Sequence, residues 1–203
     1  MSTSGAASRA EAASSVREFT PALILRNAVF VCLAAALAAQ LSMPVSESST
    51  PFTLQTLAVL LAGPLAGARA GTAGILLYLL AGALGLPVFA DGRGGSEVLS
   101  GPTAGFLWSF LLLPTPLAHL ARRIDGSWSA LWFGCFLVGH LLILLFGFGW
   151  LAFGAGVAVT ASSWSVFLPG AVLKSMLGVL VLRFTPTHVT RSASRRRPRI
   201  EPE

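Results

Sequence analysis

Lys174 is the residue whose position most needs a chemical reason. It stands in the apolar run Phe167-Leu168-Pro169-Gly170-Ala171-Val172-Leu173-Lys174, and an ammonium near the bilayer centre costs roughly 2.5–3.5 kcal/mol on insertion scales. Two roles fit it: an interior cation that pairs with a substrate carboxylate, or a long side chain near a helix start that lifts its charge to the headgroups. Asp91, Arg93 and Glu97 form a second group, set among Gly92, Gly94 and Gly95. Glycines let backbone N–H groups approach a ligand closely. Asp91 can accept hydrogen bonds from a polar ring, and Arg93 offers a forked partner for a carboxylate. A solvated loop explains the same charges without a ligand.

Thr53, Gln55 and Thr56 come next. Capping of a helix with Pro51 in its first turn and Ser49 or Thr50 as cap accounts for Thr53. Gln55 calls for a pocket or an interhelical bond, because an amide in lipid needs partners. Tyr78, the single tyrosine, must place its hydroxyl on a core group or on a ligand. Phe89, Phe106, Trp108 and Trp164 are candidate walls for an apolar ring, with packing or interfacial anchoring as the competing role. His119, His140 and His188 stand alone, and His140 is expected as a satisfied interhelical residue.

The absences narrow the chemistry. Lys174-Ser175 ends like a phosphate-binding loop, but Leu173 occupies the place of the required glycine, so ATP is excluded. No HExxH, no GxSxG and no carboxylate pair falls within an apolar segment, which argues against an enzyme. Cys32 and Cys135 lie in separate apolar segments, so neither a disulfide framework nor a metal spacing exists, and no cofactor is implied.

The elements that must position these groups are membrane helices. Of 203 residues, 54% are hydrophobic and 11% charged, far from soluble composition. The net charge of +6 sits at the chain ends and between apolar runs, with no basic patch interleaved with aromatics, so nucleic acid is excluded. An all-α membrane protein with six crossings is expected: Leu23–Ser42, Phe52–Ala66, Ala70–Phe89, Thr103–Leu120 kinked by Pro114 and Pro116, Ala130–Leu151, and Pro169–Phe184. Trp128, Trp132 and Trp150 read as interfacial anchors of the fifth. Phe153–Leu168 reads as a partly helical connection. Residues 1–20 are expected as a disordered cytoplasmic segment without a cleaved signal, 21–184 as the membrane domain, and 185–203 as a basic, lipid-facing cytoplasmic tail. With both termini inside, 12 of the 14 basic residues collect on the inner face, against Arg93 alone outside. That bias requires an even number of crossings. It puts the connections Ser42–Thr53, Ala90–Gly101 and Phe153–Pro169 outside, as a pocket open to the exterior requires.

Alanines four apart in the first segment, Ala34 with Ala38 and Ala35 with Ala39, permit close helix approach, either within the fold or against a partner.

Several spaced motifs together carry a resemblance. Pro51-Phe52-Thr53-Leu54-Gln55-Thr56, Leu76-Leu77-Tyr78-Leu79-Leu80-Ala81-Gly82, Gly85-Leu86-Pro87-Val88-Phe89, Gly94-Gly95 and Gly101-Pro102-Thr103 resemble the BioY family of biotin transporters. Its members are substrate-capture S components of energy-coupling-factor importers. The resemblance implies capture of biotin from outside, in a pocket under the Ala90–Gly101 and Phe153–Pro169 connections, in the bacterial plasma membrane. It implies Lys174 or Arg93 as partner of the valerate carboxylate, and ATPase subunits with a transmembrane coupling protein as the source of energy. It also implies docking on that coupling protein through an Ala-x-x-x-Ala stripe of the first helix. The segment Pro169–Lys174 is similar to the family pattern of Pro-Gly, acid, two apolar residues and Lys, except that Ala171 occupies the acid's place. Asp91 is the expected substitute acceptor for the ureido N–H pair. A capture subunit for a different vitamin, a facilitated biotin transporter without the ATPases, and a scaffold subunit are the competing readings.

Overall fold

The computed structural model describes residues 20–43, 51–124, 129–154 and 161–185, with the side chains of 161–163 set aside. The expected disordered N-terminal segment, the bulk of the basic tail, the caps Ser49 and Thr50, and Trp128 lie outside the described residues.

Helix α1 spans Pro21–Gln40 and starts on Pro21, whose missing N–H is no loss in a first turn. Its small residues Ala28, Ala35 and Ala39 are buried and face helix α3, Ala68–Ala83. A side chain at Gly74 of α3 would collide with Val31 and the Ala28 carbonyl, so the contact exists because both surfaces are nearly bare.

The second apolar segment differs from its expected form. Pro51 does not open a helix. Phe52 and Thr53 form a short strand β2, antiparallel to β1 at Ser42–Met43, with Ser42 opposite Thr53. Helix α2 begins only at Gln55 and ends at Ala66. Gly67, at φ +83°, is the sole residue between α2 and α3, a left-handed link open to glycine at little steric cost. The third segment also stops early, at Ala83 instead of Phe89. Gly85 takes φ +92° and Pro87 cannot continue a helix. Phe89 is thereby released into the connection, which contains short 3₁₀ turns at Ala90–Gly92 and Ser96–Leu99.

Pro114 breaks the fourth segment rather than bending it. Helix α4, Ala104–Ser109, passes through a 3₁₀ turn at Phe110–Leu112 into α5, Pro114–Ala121. Helix α6 covers Ser129–Gly149 and ends in a π-helical turn at Trp150–Gly154. Trp132, expected at the interface, is buried against Phe136 at 5.5 Å between ring centroids. Helix α7 runs from Ala161 to Phe184, so Pro169 lies inside it and does not start it, and the last part of the expected connection is helical. A proline interior to a helix is tolerated in a membrane bundle, where neighbouring groups re-satisfy the freed backbone.

Among the described residues, four stretches are long and apolar enough to cross a bilayer: Pro21–Gln40, Ala104–Ala121, Ser129–Gly154 and Trp164–Phe184. Helices α2 and α3, of 12 and 16 residues, are shorter than the roughly 20 residues that a ~30 Å hydrocarbon layer requires. The six expected segments are present as six helical segments, α2 and α3 among them short, counting α4 and α5 as one. Leu25, Leu33 and Leu37 on α1, Val138 and Leu145 on α6, and Leu173, Met176 and Leu180 on α7 are exposed. Such outward apolar rows suit lipid and not water.

One end of the bundle is laced together by polar contacts. Gln40 Nε2 donates to the Phe89 carbonyl at 3.1 Å, Ser42 Oγ to Asp91 Oδ1 at 2.6 Å, and Trp150 Nε1 to the Gly101 carbonyl at 2.9 Å. These bonds hold the connection 84–103 over the ends of α1 and α6. The described arginines Arg26, Arg69, Arg122, Arg123 and Arg183 belong to the opposite helix ends.

Candidate functional site

Beneath that laced end lies a cavity of about 680 Å³, counting its open mouth. Its walls come from α2, α4, α6 and α7, from the stretch 51–53 and from the connection 84–103. Phe89, Val98, Phe106, Leu107, Phe110, Ile143, Leu144 and Phe167 make it largely apolar.

Lys174 stands in the wall of this cavity and is only 5% exposed. The helical reach of α7 from Ala161 places it well inside the helix, not near its start, and the headgroup alternative fails. Its Nζ donates to the Thr53 carbonyl and to Thr56 Oγ1, each at 3.0 Å, and lies 4.3 Å from the centroid of Phe52. An ammonium carries three N–H donors. Two are engaged, and the third has no hydrogen-bond acceptor among the described residues. Phe52 holds its place because Gly170 is bare; a Cβ there would strike the ring.

The other candidates divide. Thr53, Gln55, Phe89 and Arg93 join Lys174 in the lining. Gln55 is buried and donates through Nε2 to Tyr78 Oη at 2.6 Å, so Tyr78 is fully buried behind the wall and positions the amide. Tyr78 also meets the edge of Phe89 at 5.4 Å and 85°, and Phe89 rests on Gly82, where any side chain would displace it. Arg93 is exposed at the mouth, with Nε 3.3 Å from the Ala90 carbonyl. Asp91 is exposed, bonded to Ser42, and is not among the lining residues. Trp164 is likewise outside the lining and packs its edge on Phe148 at 4.8 Å. Trp108 is exposed and bonded to the Leu99 carbonyl.

His140, expected as a satisfied interhelical residue, is satisfied at one ring nitrogen and not at the other. It lies in the wall, buried, with Nδ1 at 2.9 Å from the Phe136 carbonyl and 3.1 Å from Ser175 Oγ. Its Nε2 has no hydrogen-bond partner among the described residues. The signal that was available is the polar side chain itself in the middle of an otherwise apolar helix.

Of the four alanines, Ala35 and Ala39 are buried against the fold, Ala38 is half-buried and Ala34 is exposed. Among the described residues no cluster of His, Cys, Asp and Glu has the arrangement to hold a metal ion.

An apolar chamber with one buried ammonium, reached under a glycine-bearing connection, suits a small amphipathic acid. The BioY family profile matches residues 9–191. This chain belongs to the BioY family. It is 37% identical over 166 residues to the protein named "Biotin transporter BioY2" of Lactococcus lactis subsp. cremoris, covering 79% of this chain and 88% of that one. It is 34% identical over 171 residues to "Biotin transporter BioY" of Rhizobium etli, covering 78% and 91%. The fold is similar to a crystal structure of the S-component for biotin from an ECF-type ABC transporter, with a TM-score of 0.71 and 26% identity. That likeness covers 79% of this chain and 88% of the other. BioY membership therefore extends through the flanks, where the sequence motifs alone did not reach.

Proposed function

We propose that this protein captures biotin at the extracytoplasmic face of the bacterial plasma membrane, as the S component of an energy-coupling-factor importer. It is a transport subunit, not an enzyme. The observation that carries the reading is Lys174: a buried ammonium with one donor to spare, in the wall of an otherwise apolar cavity, in a BioY chain. The valerate carboxylate meets Lys174, with Arg93 at the mouth as a second cation, while Phe89, Phe106 and Phe167 enclose the fused rings. Thr53, Gln55 and Thr56 supply polar contacts at the same end. Tyr78, Asp91 and Trp164 support that arrangement from behind or beside it.

The side on which the pocket opens is inferred from charge. Arginines gather at the helix ends away from the cavity, and only Arg93 stands beside it, the distribution expected if the cavity opens outside and both termini are inside. Uptake then requires energy from ATPase subunits through a transmembrane coupling protein, since the sequence carries no phosphate-binding loop. Ala34 and Ala38, on the less buried side of α1, are the part of the alanine stripe free to meet that protein.

Equilibrium binding of radiolabelled biotin to the purified protein in lipid nanodiscs tests the assignment. Saturable binding with a dissociation constant below micromolar is expected, and none at that level rejects it.

A further inference from the structure

Taking biotin as the occupant of the cavity, we propose that His140 recognises its urea edge: the Nε2 lone pair accepts a hydrogen bond from one ureido N–H.

The ring is 2% exposed and forms part of the cavity wall. It is not free to choose its tautomer. Both groups near Nδ1 are acceptors toward it. The Phe136 carbonyl has no proton to give, and the Ser175 hydroxyl already donates to the Ala171 carbonyl at 2.8 Å. The Nδ1 atom must therefore carry the proton, and in the neutral ring Nε2 is left as a bare lone pair. The lining holds two cations, Lys174 and Arg93, and no carboxylate that would pair with an imidazolium. The pair of bonds at Nδ1 also clamps the ring between α6 and α7, so the lone pair has a defined direction.

That lone pair is the one buried side-chain nitrogen or oxygen without a partner among the described residues. Buried polar groups are almost always paired, so an unmatched acceptor on a residue of the cavity wall marks where a ligand donor belongs. Biotin's ring carries two N–H donors, and besides His140 the side-chain acceptors in the lining are the oxygens of Thr53, Gln55, Thr56 and Thr103. Lys174 and Arg93 only donate, and Ala171, one turn before Ser175, presents a methyl. Asp91 is outside the lining. His140 thus supplies, from α6, the acceptor that the α7 wall lacks.

The test compares biotin with its two mono-N-methylated ureido derivatives on wild type, His140→Phe and His140→Gln. His140→Phe should weaken biotin about 10- to 100-fold, the usual effect of stranding a buried donor. It should weaken one of the methylated derivatives by less than about threefold, because that derivative has no N–H to lose there. His140→Gln, whose carbonyl oxygen reaches the Nε2 position, should recover most of the affinity. Undiminished biotin binding by His140→Phe, or equal losses for all three ligands, overturns the proposal while leaving biotin as the ligand. Failure of the wild type to bind biotin overturns both. Nitrogen-15 NMR of histidine-labelled wild type needs no variant: the bare Nε2 resonance of His140 should move upfield on biotin addition, and an unmoved resonance is contrary evidence.

Discussion

Lys174 Nζ lies 3.0 Å from the backbone oxygen of Thr53, 121 positions earlier in the chain. This bond ties the middle of α7 to the extended residues that precede α2, and so fastens β2 beside the cavity. The ammonium is a strut between these segments, and under the proposed function it is also a binding group. A charge donating to neutral oxygens keeps its full formal charge for a ligand anion, which neighbouring carboxylates would have cancelled.

Replacement of Lys174 by Met should weaken biotin by about 10- to 100-fold, the loss of a charge-assisted hydrogen bond in a buried site. Biotinamide, whose tail is uncharged, should lose far less. Titration calorimetry with both ligands separates the two effects. Equal losses would mean that Lys174 acts only as the strut to Thr53.

Tyr78→Phe leaves the Gln55 amide donor without its buried acceptor, and should destabilise the fold by about 1–3 kcal/mol. Gln55→Leu combined with Tyr78→Phe removes both partners and should recover part of that loss. The thermal unfolding midpoints of Tyr78→Phe, Gln55→Leu, the double variant and wild type report it. A double variant less stable than the sum of the singles would contradict the pairing.

Accessibility of single cysteines checks which way the cavity opens. In a background with Cys32 and Cys135 replaced by alanine, Ser96→Cys in the connection should react with an impermeant maleimide on intact cells. Arg122→Cys, after α5, should react only once the membrane is opened. The reverse pattern would place the cavity on the cytoplasmic side.

The two alanine pairs of α1 should separate coupling from folding. Ala34→Leu on the exposed face should leave biotin binding within about twofold, because substitutions at exposed positions rarely disturb a fold, and should abolish uptake in cells that carry the coupling module. Ala35→Leu overpacks a fully buried position and should cost about 1–3 kcal/mol of stability. Unchanged uptake by Ala34→Leu would take the docking surface away from this face.

Composition and spacing determined a good deal unaided. An apolar chain with arginines confined to its ends and short turns has few stable forms other than a helical membrane bundle, because lipid leaves backbone groups no other partners. The run from Pro51 to Thr103 carried the family, since several motifs at fixed separations are jointly specific. Lys174 could be singled out because a charge in an apolar helix is conspicuous at any resolution of reading. What periodicity could not locate was where those helices begin and end. Pro51 reads as a first-turn proline and Pro169 as a start, yet tertiary pairing of Phe52–Thr53 with Ser42–Met43 delays one helix, and packing carries the other back to Ala161. Local propensity is worth tenths of a kcal/mol per residue, and contacts between distant segments override it.

The tertiary structure alone decided which polar residues share a cavity. Asp91 and Arg93 are two residues apart, but one turns to Ser42 and the other toward the opening. Ala35 and Ala34 are neighbours, but one is core and the other surface. His140 gains its meaning only from Phe136 and Ser175, which together settle where its proton sits. Sequence spacing assigns a residue to a face; which partner that face meets depends on contacts between segments far apart in the chain, and those set whether a polar atom is satisfied or left waiting for a ligand.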